Sequence, residues 1–317
     1  MIGRLFLIPF VPIYWVSFRI HQVWLRKSSI KAKPLVPMLV VGGLRAGGSG
    51  KTSVVIELAQ QFTKRGLKVG VLAYWINGYK QEKIWKQVER DWEGASDEAV
   101  LIQKKTGLDV YVTRNRERAW WEIASQKKYD LLISDDGFQD PRLVQAYSLV
   151  LHSPQRVGFW NLLPLGRYRE TSQGLKRGDR EFVGPLPWQG TEKVREGQFY
   201  RQQEFPQGFA FDKKWVVLCA LGDNQSFIED LKQNGVRVEG VYGKRDHVTF
   251  KKSEVKRLKR IYPMGHFLMS EKDFIKFEGL KRELKVTVIK QKIIFSPNDL
   301  QKLFFDLKFG SFFKLNK

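Results

Sequence analysis

Apolar stretches of strand length alternate with stretches of helical periodicity along most of the chain. Three short apolar runs are typical of buried strands and lie at 37–43, 67–74 and 131–133. Between the first two runs, Val54, Leu58 and Phe62 recur at helical spacing, and Gly66 marks the end of the helix. This alternation of strand and helix predicts an α/β fold.

The alternation returns in the last third of the chain. Strand-like stretches at 237–243 and 266–270 are separated by the helix-like stretch 251–263. The polar segment 174–198, which contains several Gly and Pro residues, is typical of a connection that leaves one lobe for another. The aromatic and basic tail, 300–317, either packs back on the core or touches lipid. The pattern therefore predicts two α/β lobes.

The first 33 residues combine an apolar run with basic residues. The first acidic residue of the chain is Glu57. A spanning helix needs about 20 uninterrupted apolar residues, and the run from 5 to 18 is shorter and contains Pro9 and Pro12. A signal peptide would need a cleavage site of small residues, which is not visible. A spanning helix and an ordinary core helix stay open, but the pattern favours a helix lying in a membrane interface.

Composition adds a strong positive charge. The 317 residues include 55 Lys and Arg against 33 Asp and Glu, a net charge of +22. Such a balance indicates a negative partner: nucleic acid, an anionic membrane surface or a phosphorylated substrate. No nucleic-acid-reading module is visible, so we expect no nucleic-acid partner. The single cysteine, Cys219, excludes a disulfide framework and is predicted to be a small buried apolar residue.

The turn between the first strand and the first helix predicts a phosphate-binding loop. It reads "VVGGLRAGGSGKTS", with the phosphate-binding residues expected at Gly47, Gly48, Ser49, Gly50, Lys51 and Thr52. Main-chain N–H groups and the helix N-terminus hold phosphates in such loops, the lysine reaches the β- and γ-phosphates, and the threonine hydroxyl binds Mg²⁺. The first glycine of the usual G-x-x-x-x-G-K-[ST] pattern is replaced by Arg45.

A second polar signal ends a later strand. Asp135 and Asp136 follow the apolar run 131–133. Acidic residues at such a strand end hold or orient Mg²⁺ in phosphate-loop enzymes, although Asp-Asp-Gly by itself is equally typical of a turn. The phosphate loop upstream favours the metal role for both carboxylates.

Six motifs occur in the order found in the tetraacyldisaccharide 4'-kinase family, which the chain resembles from its start to about Lys276. They are "GGLRAGGSGKTS", "GASDEAVLI", "ISDDGFQD", "NLLPLGRYRE", "DHVTF" and "SEKD". The resemblance implies a P-loop NTPase-like α/β/α larger lobe, a second, smaller α/β lobe and an N-terminal membrane-associated helix. We place these parts at 31–205, 206–317 and 1–30, respectively. It also implies ATP and Mg²⁺, a lipid disaccharide substrate, and a location at the cytoplasmic face of the inner membrane.

The resemblance assigns roles to residues outside the phosphate loop. Asp97 matches the family's catalytic aspartate, with Lys51 and His247 as further catalytic residues. Glu98, beside Asp97, is expected to bind the metal together with Thr52, Asp135 and Asp136. Arg169 and Glu170 match positions that bind the substrate in the family. The stretch Ser96-Asp97-Glu98 is also typical of an ordinary helix N-terminus.

The chain departs from the family pattern at Arg45, across Ala73–Lys80, at Asp140, where the family commonly has histidine, and at Ser53, where it favours proline. Because the principal site residues remain, the sequence predicts an active lipid A 4'-kinase. Two alternatives stay open: a kinase of another membrane lipid or sugar, and a non-catalytic ATP-binding membrane protein of the same fold.

Overall fold

The computed structural model describes residues 6–30, 34–74, 85–87, 96–143, 146–188, 190, 193–245 and 248–309. Two compact units share the chain. The first comprises Met1–Leu186, Val194–Phe199 and Phe295–Lys317, and the second comprises Pro187–Lys193 and Tyr200–Ile294. The C-terminal residues thus group with the first unit, whereas the sequence analysis placed them in the smaller lobe.

Helices and strands are numbered in chain order. The helices of the first unit are α1 (Phe10–Lys27), α2 (Lys51–Lys64), α3 (Asp97–Thr106), α4 (Arg116–Ser125) and α8 (Pro297–Phe309). Its strands are β1 (Met38–Gly43), β2 (Val69–Tyr74), β3 (Trp85–Gln87), β4 (Val110–Thr113), β5 (Leu131–Asp135), β6 (Tyr147–His152) and β7 (Arg180–Pro187). The three strands and the helix expected at the start of the chain are confirmed.

The strands of the first unit follow the order β7-β6-β1-β5-β2-β4-β3. All neighbours are parallel except β3, which runs antiparallel to β4. The central strand β1 pairs with β5, and the register sets Val41 beside Asp135. Because parallel strands bring their carboxyl ends to one edge, the loop after β1 and the acidic end of β5 are neighbours. The topology thereby brings together the phosphate loop and the acidic strand end, which are 83 residues apart between Thr52 and Asp135.

The second unit repeats the same construction on a smaller scale. Its strands are β9 (Lys214–Cys219), β10 (Arg237–Gly243), β11 (His266–Ser270) and β12 (Val286–Phe295), preceded by β8 (Gln198–Glu204). Its helices are α5 (Asn224–Gln233), α6 (Lys252–Ile261) and α7 (Glu271–Phe277). The order β10-β9-β11-β12 is parallel throughout. Cys219 is fully buried at the end of β9, which confirms its expected apolar role.

The segment 174–198 differs from its expected structure, and the C-terminal tail follows one of the two expected alternatives. The stretch expected to be a polar connection contains the strand β7, in which Phe182 is buried. The described part of the C-terminal tail forms α8 and packs on the first unit. Leu303 and Leu307 are buried, and the Phe304 ring lies 6.2 Å from the ring of Phe62.

Helix α1 has apolar residues on two faces. One face lies on the first unit, where Val11 is buried and the Tyr14 hydroxyl donates to the Arg169 main-chain oxygen at 3.2 Å. The opposite side is exposed and carries Phe10, Ile13, Val16, Ile20, Val23 and Trp24, whereas Trp15, also exposed, lies beside the packed face. Among the described residues, no helix has the length and apolar character required to cross a bilayer.

Candidate functional site

The loop between β1 and α2 has a backbone that only glycine adopts at low cost. Gly47, Gly48 and Gly50 have φ values of 72°, 66° and 72°, all in the left-handed region. Gly50 is the N-cap residue directly before α2, and the N–H groups of the first helical turn have no partner within the helix. Successive amides in such a turn form a concave anion site at the positive end of a helix. The loop therefore fits a polyphosphate.

Arg45 occupies the position of the usual first glycine without requiring a left-handed backbone. It forms an isolated β-bridge with Tyr168. On either side, the Ala46 N–H donates to the Arg167 oxygen at 2.8 Å and the Arg169 N–H donates to the Leu44 oxygen at 2.8 Å. The segment around Tyr168 thus supports the start of the loop by strand-like pairing, so the departure at Arg45 leaves the glycine turn intact.

Lys51 and Thr52 begin α2 and point toward the end of β5. The buried Lys51 Nζ donates to the Ser49 hydroxyl at 2.9 Å and to the Arg45 main-chain oxygen at 3.3 Å. It lies 3.6 Å from the nearer carboxylate oxygen of Asp136. The Thr52 hydroxyl donates to the Asp135 carboxylate at 3.0 Å. These contacts hold an ammonium and a hydroxyl at the mouth of the glycine turn.

Asp135 has an unusual environment for a carboxylate. Burial, with the negative charges of Asp136 and Glu98, raises its pKa to about 6. One oxygen accepts from Thr52, and the other, Oδ1, is buried without a hydrogen-bond partner among the described residues. A buried carboxylate oxygen without a donor requires a cation or water nearby. This atom is therefore a fitting ligand for a hard cation such as Mg²⁺.

Asp136 has the opposite environment. Burial raises its pKa, but the charges of Lys51, Arg169 and Arg116 outweigh burial and bring it down to about 2. The Arg169 guanidinium donates to both carboxylate oxygens, at 2.8 and 2.7 Å. Because both oxygens accept from this fork, Asp136 is suited to holding Arg169 and Lys51 in place.

Glu170 lies in a network beneath the site. It is buried, and Arg177 donates to both of its oxygens, at 2.7 and 2.8 Å. Gln139 donates to the Glu170 carboxylate at 3.1 Å and accepts from Arg169 at 2.9 Å. The substrate-side role expected for Glu170 stays a prediction, and its surroundings are those of a residue that positions Arg169.

Asp97 and Glu98 are the first residues of α3. The Ser96 hydroxyl accepts from the Ala99 N–H at 3.1 Å, so the ordinary helix-capping interpretation of this stretch is correct as geometry. Helix α3 packs on α2, and Glu98 is close enough to Asp135 to raise its pKa. The catalytic role of Asp97 stays a prediction. His247 lies outside the described residues, as do 75–80 of the divergent stretch Ala73–Lys80.

Sequence reasoning missed one buried residue of the site, Arg116. Its guanidinium donates to the Asp135 main-chain oxygen at 2.9 Å and lies over the ring of Tyr74, 5.3 Å from the centroid. Burial lowers its pKa, and the carboxylates of Asp136, Asp140 and Asp135 oppose that shift. Only the topology reveals it, because an arginine at the start of α4 carries no local signal for contact with the end of β5.

Within the described part of the chain, no three His, Cys, Asp or Glu side chains cluster closely enough to form a protein-only metal cage. Mg²⁺ in phosphoryl-transfer sites is usually held by one or two protein oxygens plus substrate phosphates. The Thr52 hydroxyl and the unpartnered Asp135 oxygen fit that smaller set.

A glycine turn between strand and helix, followed by Lys-Thr and faced by an acidic strand end, defines a protein of the P-loop NTPase class. The chain belongs to the tetraacyldisaccharide-1-P 4'-kinase family, LpxK, whose model matches residues 3–307. Both the expected fold class and the family resemblance are confirmed.

Curated relatives and a solved structure agree with this placement. A tetraacyldisaccharide 4'-kinase of Haemophilus influenzae is 30% identical over 289 residues, covering 87% of this chain and 84% of the relative. One from Pasteurella multocida is 31% identical over 291 residues, covering 85% of each. A crystal structure of LpxK from Aquifex aeolicus in complex with ATP is 25% identical and superposes with a TM-score of 0.65, covering 97% of this chain and 99% of that one.

Proposed function

We propose that this chain transfers the γ-phosphoryl group of ATP to the 4'-hydroxyl of a tetraacyldisaccharide 1-phosphate, the lipid A precursor. The observation that carries the proposal is the left-handed glycine turn with Lys51 and Thr52 set against Asp135, in a member of this kinase family. Nothing in that geometry selects the lipid, so the acceptor rests on the family and on the relatives named for it.

On the nucleotide side, the N–H groups of residues 47–52 hold the phosphates, and Lys51 neutralises the charge on the β- and γ-phosphates. In the structure Lys51 Nζ is held by Ser49 and by the Arg45 oxygen, within reach of Asp136. These acceptors orient the ammonium before nucleotide arrives, which reduces the conformational entropy lost on binding. Arg169, fixed by Asp136 and Gln139, places a second positive charge beside the same pocket.

Thr52 and Asp135 would supply the oxygen ligands for a bound Mg²⁺, and Asp136 keeps the neighbouring cations in position. The metal would offset the negative charge that develops on the phosphoryl group during transfer. Glu98 adds negative potential near Asp135.

On the acceptor side, Asp97 takes the proton of the attacking hydroxyl, and His247 partners it. Asp97 is half-buried at the first position of α3, and α3 packs on α2, the helix that carries Lys51 and Thr52. A base of this kind contributes about 10²–10⁴-fold to turnover.

The membrane partner is an anionic surface, at the cytoplasmic face of the inner membrane. The outward face of α1 exposes aliphatic and Trp side chains, with Arg19, Arg26 and Lys27 on the same helix and no acidic residue. Contiguous exposed apolar surface of this kind is costly in water and typical of a membrane-interface helix.

The test is phosphoryl transfer from radiolabelled ATP to the lipid disaccharide in mixed micelles, with Asp97→Asn and Lys51→Ala as variants. We expect Lys51→Ala to lose nucleotide binding. Asp97→Asn should keep nucleotide binding and lose about 10²–10⁴-fold in turnover. Absence of transfer by the unmodified chain would contradict the proposal, whereas transfer only to a different lipid or sugar would reassign the acceptor.

A further inference from the structure

Beyond α1, a second exposed aromatic group stands on the first unit. The turn Phe159–Asn161 presents the Trp160 side chain, which is 59% exposed. Its ring lies 5.2 Å from that of Phe159, which in turn lies 6.4 Å from the ring of Trp15 on α1. The Arg19 guanidinium covers Trp15 at 5.7 Å. These four residues form one aromatic and cationic surface, called here the Trp160 surface.

The charge around the Trp160 surface selects its partner. The segment 154–168 contains the exposed Arg156 and Arg167 and no acidic residue, and α1 is likewise free of acidic residues. Tryptophan partitions to the headgroup region of a bilayer, and each basic residue near an anionic leaflet adds about 1 kcal/mol to binding. Exposed Trp flanked by arginines without any carboxylate is therefore complementary to an anionic bilayer.

The chain leads directly from Trp160 to the phosphate loop. Residues 161–168 form a closed loop in which the Tyr168 N–H donates to the Asn161 oxygen at 3.1 Å and the Leu163 N–H donates to the Tyr168 oxygen at 2.9 Å. Packing inside it is so close that a Cβ on Gly166 would lie 1.9 Å from the Asn161 oxygen. Because the loop has no room to deform, a constraint on the position of Trp160 is passed on to Tyr168.

The far end of this loop pairs with the phosphate loop. Arg167 accepts from Ala46 and Arg169 donates to Leu44, on both sides of the Arg45–Tyr168 bridge. The side chain of the same Arg169 donates a hydrogen bond to the Asp136 carboxylate. One continuous backbone segment thus joins the exposed Trp160 to the first residues of the phosphate loop.

We propose that the Trp160 surface is a second membrane-contact site, and that its docking on an anionic bilayer fixes the rigid 161–169 segment in place against the glycine loop and thereby strengthens ATP binding there. The inference rests on the proposed function for its nucleotide. Because the segment pairs with residues 44–46, each ligand that holds this pairing in place lowers the entropic cost of binding the other, so lipid and nucleotide bind with positive coupling. Coupling is reciprocal: ATP must tighten vesicle binding by the factor by which vesicles tighten ATP binding.

The experiment measures ATP affinity of the full chain with and without vesicles of phosphatidylglycerol and phosphatidylethanolamine, and vesicle affinity with and without ATP. The variants are Trp160→Ala and, as the matched control, Trp24→Ala. Trp24 is 64% exposed on the opposite side of α1 from Trp15, because nine residues separate the two along the helix. No described hydrogen bond leads from Trp24 to the phosphate loop.

We expect vesicles to tighten ATP binding of the unmodified chain by about five- to tenfold, within the usual range of coupling between sites. Trp24→Ala should weaken vesicle binding yet keep that gain at saturating lipid. Trp160→Ala should lose the gain even at saturating lipid, with ATP affinity in lipid-free solution unchanged.

Equal ATP affinity with and without vesicles would overturn the coupling, as would identical behaviour of the two variants. Normal vesicle binding by Trp160→Ala together with a raised KM for the disaccharide would assign this surface to acceptor acyl chains instead. The ATP-binding and vesicle-binding measurements require no phosphoryl transfer, so failure of the proposed kinase reaction is distinguishable: it shows as absent transfer with intact coupling.

Discussion

Asp135 and Asp136 are adjacent in the chain, yet their carboxylates have opposite electrostatic surroundings. Asp135 ends β5 pointing toward Thr52, where burial raises its pKa to about 6. Asp136 has a left-handed backbone, φ 55°, which turns its side chain to Arg169 and Lys51 and brings its pKa to about 2. One carboxylate therefore has an unused oxygen for a cation, and the other is part of a charged framework.

This difference predicts different outcomes for two matched amide substitutions. Asp135→Asn should lose at least about 10–100-fold in activity, the loss that even outer partners of a metal cause, and should require more Mg²⁺ for half-maximal rate. Asp136→Asn should keep the wild-type Mg²⁺ dependence but lower the free energy of unfolding by about 2 kcal/mol, because the ion pair with Arg169 is lost. Magnesium titrations of turnover and urea unfolding measure the two effects. A normal Mg²⁺ dependence in Asp135→Asn would contradict the metal assignment.

Cys219 gives a pH prediction. Burial, with the charge of Asp273, raises its pKa from 9.0 to about 12. The folded chain therefore keeps the thiol protonated where the unfolded chain loses it, so the stabilising contribution is complete below pH 9 and declines as pH rises toward 12. Iodoacetamide labelling should be slow and nearly independent of pH between 7 and 9 in the folded protein. In urea-unfolded chain the rate should rise through pH 9. Rapid labelling of the folded protein would show that the thiol is accessible.

At the scale of elements, the local sequence pattern predicted those strands and helices whose apolar runs or helical periodicity are strong. The buried runs of β1, β2 and β5 and the periodicity of α2 were sufficient without any partner. Strand β7 was missed because Gly184, Pro185 and two charged residues, Arg180 and Glu181, make its sequence resemble a connection. The strand is stabilised by hydrogen bonds and burial that arise from its pairing with β6, and its own sequence does not indicate this pairing.

The packing of α8 on the first unit predicts a large effect from one buried side chain. Leu303→Ala should lower the free energy of unfolding by about 2–5 kcal/mol, because Leu303 is 1% exposed and its loss leaves a cavity. Gln301→Ala, at an exposed position of the same helix, is the control and should change it by no more than about 0.5 kcal/mol. Denaturant unfolding measures both. Equal effects would mean that α8 does not pack on the core in solution.

At the scale of the whole molecule, the net charge of +22 gains meaning from where the exposed apolar groups lie. Charge alone left nucleic acid, membrane and phosphorylated substrate open. The first unit combines a phosphate loop with an exposed aromatic helix that carries basic residues and no acidic one. That combination favours an enzyme that works on a phosphorylated lipid at an anionic surface.

This surface electrostatics predicts salt-sensitive membrane binding. Affinity for phosphatidylglycerol vesicles should fall as salt rises from about 0.1 to 1 M, because the screening length shrinks from about 10 to 3 Å. Removing both charges in Arg26→Gln with Lys27→Gln should cost about 2 kcal/mol at low salt, about 1 kcal/mol for each residue. Lys213→Gln, an exposed residue of the second unit, is the control and should bind nearly as wild type. Sedimentation with vesicles gives all three affinities; salt-independent binding would contradict the electrostatic contribution.

By itself, the sequence determined the α/β class, the phosphate loop and its family, because glycine spacing, hydrophobic period and motif order are local properties of the chain. The tertiary structure decided what depends on distant residues meeting. It set the contrasting surroundings of Asp135 and Asp136, the contact of buried Arg116 with the end of β5, the grouping of α8 with the first unit and the link from Trp160 to Arg45. Each of these arises from pairing or burial between segments far apart in the chain, and no local pattern records the electrostatic field or the contacts that such pairing creates.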